Sequence, residues 1–254
     1  MKAKILFGTA VLTSLLFTGC NSSGSTTGVA TGAAAGEVAA APAEGGAAAP
    51  VPVASNSDAL TEDQKYSLAY MWHEEKLAKE IYLELNKVHP AQQLENIATN
   101  SEVKHIARVQ ELVEAYDINI TNLADYEVNY SPEELNNMPV GVFAVPEIQD
   151  LYNTLYDIGI ASKQAALEVG CMVEVVDIND LDKFLVTAGD NQYLTDAFVF
   201  LRDGSYTHYW AFDNGLKNMG ISDGCCSLGS EYCHPEYPQS ENGGGGNGGG
   251  NGRG

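Results

Sequence analysis

Glu102-Val103-Lys104-His105 sits inside the apolar series Leu94, Ala98, Val109, Leu112 and Tyr116, and this stretch decides the fold. Its apolar residues recur at helical spacing, and Glu102 and His105 fill the gap on the same face. A carboxylate and an imidazole therefore point inward at the middle of a helix expected from near Pro90, a good first-turn residue, to about Tyr116.

Three more helices repeat the anomaly. Upstream, Thr61-Glu62-Asp63-Gln64 has capping-box form, and the stripe Leu68, Met71, Ala78, Tyr82, Leu85 follows it. Glu75 fills that stripe in phase. Glu74 lies about 100° away and is expected to face water, as are the off-stripe His73 and His89. Downstream, a helix follows Ser162 and ends before Gly189, with stripe Leu167, Cys171, Ile178, Leu181, Leu185. Glu174 is in phase there and Asp177 lies one turn on. The last helix, from about Gln192 to Asn214, carries Leu194, Phe198, Leu201, Ser205 and Phe212, with His208 in the stripe. Tyr70 and Tyr82 read as packing residues. Residues 117–160 hold Pro132, Pro139 and Pro146, a long connection that argues against a simple hairpin between helices two and three.

Several buried, unpaired carboxylates would cost more than the ~5–15 kcal/mol that stabilises a domain. No lysine or arginine lies in the four stripes, although Arg108 and Arg202 border them. The economical compensation is a metal pair held by carboxylates and imidazoles, and hard oxygen donors with imidazole suit Fe or Mn. Glu75, Glu102 with His105, and Glu174 match the di-iron bundle order; on the fourth helix His208 is present, but Ser205 stands where that pattern has Glu. Each such residue alone is more often a hydrogen-bonded bundle residue, and Asp177 can equally hold a histidine from outside the ligand set.

Glu74-Glu75-Lys76-Leu77-Ala78, Asn96-Ile97-Ala98, Ser101-Glu102, His105, Gly141-Val142-Phe143, Pro146-Glu147, Asp177-Ile178-Asn179-Asp180-Leu181, His208 and Ala211-Phe212 occur in that order. Over about residues 61–213 they resemble the ferritin-like family catalogued as domain of unknown function 2202. The resemblance implies an all-α fold: a ferritin-like antiparallel four-helix bundle with a long crossover between helices two and three. It also implies Asp177 in place of the missing fourth-helix carboxylate, giving a site of Glu75, Glu102, His105, Glu174, Asp177 and His208. It supplies no activity.

The termini read differently. Lys2 and Lys4, an apolar run from Ile5 to Phe17, and Thr18-Gly19-Cys20 have a signal layout similar to bacterial lipoproteins, in which cleavage precedes a lipid-bearing cysteine. The alternative is an ordinary cleaved signal with an incidental Cys20. The run is too short to span a bilayer, which takes ~20 residues. Asn21 is not the Asp of inner-membrane retention, so the expected place is the cell envelope, lipid-anchored, with the outer membrane favoured. Residues 20–58 read as a disordered Ala/Gly/Ser/Pro tether, 59–238 as the folded part, and 239–254 as a disordered Gly/Asn-rich tail. The formal charge is −21, and the stretch 59–238 alone has 10 basic against 30 acidic residues. That field repels nucleic acid and anionic lipid, so metal ions are the expected partners and the lipid anchor the only membrane contact.

Cys171, Cys225, Cys226 and Cys233 allow three full disulfide pairings; alternatively, the last three with His234 form a soft metal site. Three functions compete: a redox enzyme whose metal pair acts on oxygen, peroxide or ferrous ion, a metal-binding or buffering protein without turnover, and a structural interaction lipoprotein.

Overall fold

Thr61 starts the chain's first helix, α1 (Glu62–Val88), with a complete capping box: its hydroxyl accepts from the Gln64 N–H, and its own N–H is held by Gln64 Oε1 at 3.1 Å. This computed structural model describes residues 60–121, 123 and 130–239, and every regular element in them is helical, so the chain is all-α. The leader, Cys20, the tether and all of the tail but Gln239 lie outside the described residues. Among the described residues no helix is long and apolar enough to cross a membrane.

The second helical stretch has three parts: α2 (Gln92–Asn96), a π-turn (Ile97–Ser101) and α3 (Glu102–Ala115). It begins two residues after Pro90, not at it, because Ala91 is extended and gives its N–H to Asn86 Oδ1. The connection then forms α4 (Pro132–Asn136) and α5 (Pro146–Gly159). It is fastened to α1 at Gly141, whose N–H donates to Glu80 Oε2 at 2.7 Å. Gly141 has φ +81, and a Cβ there would come within 2.7 Å of the Tyr152 hydroxyl, so the turn needs glycine.

Ser162 caps α6 (Lys163–Ala188), and Gly189 at φ +56 ends it. The short return leads into α7 (Gln192–Asn218), which packs along α6 as its antiparallel partner. The helix outlasts the expected end at Asn214: Lys217 pairs with the buried Asp213 one turn back at 2.7 Å, and Gly215 fits against Gln93 and Leu167 without breaking the turn. Beyond it, η1 (Gly224–Leu228) and η2 (Ser230–Tyr232) are held by two disulfides, Cys171–Cys225 and Cys226–Cys233. The soft metal site is thereby excluded, since all three of its sulfurs are held in disulfides. Tyr209 fixes the same segment, donating to Tyr232 O and accepting from the His234 N–H.

α1 lies at the centre, in contact with α3, α5 and α6. Its residues from Ser67 to Ala78 are buried without interruption. Two expectations fail for that reason. Glu74 and His73 are buried, because neighbours cover α1 on its flanks as well as along its stripe. His89 is half-buried, its Nε2 on Ile160 O at 2.8 Å.

Candidate metal centre

The π-turn ends at Glu102, whose N–H reaches back to Ile97 O, and this wide turn sends both Ser101 and Glu102 into the core. π-turns inside α-helices often mark functional positions. One helical turn on, His105 has its Nδ1 3.1 Å from Glu75 Oε2 and 3.2 Å from Glu102 Oε2. From α7, His208 has its Nδ1 3.2 Å from Glu102 Oε1 and 3.4 Å from Glu174 Oε2. Its Nε2 lies 2.6 Å from Ser101 Oγ, a contact that leaves Nδ1 for the carboxylates. The Tyr82 hydroxyl donates to Glu174 Oε1 at 2.5 Å, and Ser205 donates to Asp177 Oδ2 at 2.5 Å.

The six residues chosen from the sequence are all buried, and Glu75, Glu102, His105, Glu174 and His208 form one network from α1, α3, α6 and α7. Its tightest part is Glu102, His105 and His208, each offering one ligand atom, all within 4.8 Å of one another. Asp177 stands farther along α6, where Ser205 of α7 donates to its Oδ2. Sequence reasoning missed three partners. Tyr82 packs on Phe212 as expected, but it also donates to Glu174; lying seven residues from Glu75, it was already on the right face. Ser101, three residues after Ala98 and four before His105, was also in phase with its stripe, whereas Glu74 lay off its own.

The electrostatics are unbalanced. Burial, then the charges of Asp177 and Glu102 against the pull of His105, pushes the Glu75 carboxyl well above the usual range. Burial and the charge of Glu174 push Asp177 up to about 8. Burial also raises Glu174, although His208 pulls the other way. Burial opposes ionisation of Glu102 too, but His208 and His105 outweigh it and hold that carboxyl below its ordinary value. Against its own burial, His208 is raised well above the ordinary imidazole by Glu174 and Glu102. Glu75 Oε1 and Asp177 Oδ1 have no hydrogen-bond partner among the described residues. A buried carboxylate oxygen without a partner costs roughly 1–3 kcal/mol, so a bound cation fits this donor set.

The fold and site define an all-α protein with a buried carboxylate–imidazole cluster. The chain belongs to the family of the uncharacterized protein domain DUF2202, whose model matches residues 64–232. The match runs past the stretch read from sequence, into the disulfide segment. The chain is similar to the uncharacterized protein MJ0754 of Methanocaldococcus jannaschii, 35% identical over 161 residues, which are 63% of this chain and 79% of the relative. It is also similar to the crystal structure of hypothetical protein MJ0754 from Methanococcus jannaschii DSM 2661, with TM-score 0.57 and 33% identity over 68% of this chain and 87% of that one.

Proposed function

We propose that the protein is a ferritin-like four-helix bundle whose core holds iron or manganese, as a pair. The observation that carries this reading is the convergence of Glu102, His105 and His208 within 4.8 Å in full burial, among three further buried carboxylates. When bound, such a pair exchanges electrons with a small oxidant such as oxygen or peroxide, or with ferrous ion. The chain's own residues prepare the place. Glu102 stays ionised between two imidazoles, while Ser101 turns His208. Ser205 occupies one oxygen of Asp177 and leaves the other without a hydrogen-bond partner among the described residues. Tyr82 holds a proton at Oη against Glu174 and excludes water from that side.

Metal held without turnover is the second reading. Ser205 favours it, since α7 supplies a hydroxyl in place of a fourth-helix carboxylate.

Purification without chelator, metal analysis, and an optical spectrum before and after air exposure test both readings. Two Fe or Mn per chain with a spectral change on aeration are expected. Bound metal with no change selects the second reading, and absence of metal overturns the centre.

The envelope tether remains part of the proposal. Cys20→Ala is expected to move the protein from the membrane to the soluble fraction, or to leave it unprocessed; unchanged membrane partition of that variant counts against lipidation.

A further inference from the structure

His105 touches two other rings. That of His208 stands 5.3 Å away, and that of Phe200 meets it edge-on at 5.5 Å. Phe200 and His208 both belong to α7, eight residues apart, a rise of about 12 Å along that helix. His105 of α3 bridges this interval, so the three rings form a row along the seam between α3 and α7. The row is not equally open along its length. His105 is 0% and His208 3% exposed, and Glu102 and Glu75 are buried as deeply. The Glu174 end is closed too: Tyr82 donates to that carboxylate, Phe212 packs on Tyr82, and both rings are fully buried. Phe200 is different. It is half-buried, so it reaches water while its ring lies against an imidazole of the core. A phenyl ring carries no hydroxyl or N–H, so turning it aside breaks no polar bond.

We propose that Phe200 is the gate of the core centre: its ring covers His105, and by turning aside it admits divalent ions and small oxidants along the α3–α7 seam. The proposal rests on the core-centre reading for what passes through. The order of the row sets where that traffic arrives. It meets His105 first, with Glu75 and Glu102 at 3.1 and 3.2 Å from its Nδ1, and only then His208 and Glu174. An opening no wider than one phenyl ring passes a divalent ion that has shed part of its water, dioxygen or peroxide. It stops a chelator. A gate is crossed in both directions, so it sets the rates of uptake and release together and leaves their ratio alone. A residue that only props the ligands would instead change release, and the dissociation constant with it.

The test is Mn(II) uptake and release by the full, chelator-stripped chain, followed in time by the free-ion electron paramagnetic resonance signal for uptake and by capture in excess EDTA for release. Phe200→Ala is expected to speed both at least about tenfold, with the dissociation constant kept within about twofold. Phe200→Leu keeps apolar cover without the ring and is expected to fall between the parent and Phe200→Ala. It carries the test by itself if Phe200→Ala fails to fold. Release from the parent is expected to be independent of EDTA concentration, because EDTA waits outside the ring. Unchanged rates in the variants overturn the gate and leave the core centre standing. So does faster release with unchanged uptake, or parent release that climbs with EDTA. A parent that binds no Mn(II) overturns the core centre, and the gate with it.

Discussion

α1 buries ionisable groups on two of its faces, and they are built on opposite rules. Toward the crossover, Lys76 and Glu80 pair at 2.5 Å, Lys76 lies 4.3 Å from the centre of the Phe143 ring, and Glu80 also takes the Gly141 N–H. His73 donates to Ile120 O at 2.7 Å and stays neutral, its burial lowering it to about 4. Each group there has its counterpart inside the protein. Toward α3, α6 and α7, Glu74 and Glu75 join Glu102, Glu174 and Asp177, and the partners that His105 and His208 meet there are carboxylates. Burial is equal on the two faces, so burial does not tell them apart. Charge balance does.

The strongest way to break this contrast is to delete one partner on each face. Lys76→Ala leaves Glu80 buried and uncompensated, and is expected to cost about 3–5 kcal/mol in denaturant unfolding. Glu75→Gln in metal-free protein removes a repelling charge and is expected to be neutral or stabilising. A similar large loss in both variants would make the two faces alike.

Metal comes next in size. With Fe(II) or Mn(II) at 100 times its dissociation constant, stability is expected to rise by about 2.7 kcal/mol. At this chain size that lifts the thermal midpoint by about 5–10 °C. Chelator should reverse the rise and Glu102→Ala abolish it. A midpoint that ignores both metal and chelator would reduce the core face to a polar network.

Acid supplies the smallest and most discriminating effect. Asp177, Glu75 and Glu174 are raised in the folded chain, so their ionisation destabilises it at high pH and the penalty is relieved as pH falls through their folded values. His208 is raised as well, and its contribution is complete below the unfolded value near 6.5 and lost as pH rises. Glu102 acts oppositely, but only near and below its unfolded value. His73 also opposes: lowered to about 4, it loses stability between about pH 6.5 and 4. The metal-free protein is therefore expected to be more stable at pH 5 than at pH 7, by roughly 2 kcal/mol. His73→Gln, which keeps a donor for Ile120 O, should widen the gap by about 1–2 kcal/mol. With metal bound, the sign should reverse, because protons then compete with the ion. Paired melts at the two pH values with and without chelator check all three.

The helices were legible where local chemistry writes them: the Thr61 capping box, the Ser162 cap and the Gly189 stop all stand. So was the inward direction of Glu75, Glu102, His105, Glu174 and His208, because a charged residue in phase with an apolar stripe has no other place to go. Glu74 and His73 were misread because a stripe describes a helix packed on one side, and α1 is packed on several. The π-turn was invisible, since Ile97–Ser101 is compatible with ordinary helix and only the core decides its wider winding. For the cysteines the sequence offered three pairings, and the choice waits on α6 meeting the end of the chain.

The bond from Cys171 to Cys225, 54 positions apart, turns the α6–α7 hairpin into a covalent ring. Glu174, Asp177, Ser205 and His208 all lie on that ring. Closing a loop of this length withholds about 4 kcal/mol of freedom from the unfolded chain. A protease cut between Gly189 and Asn191 would therefore open the ring without freeing either helix, and the whole cluster would remain on one covalent molecule.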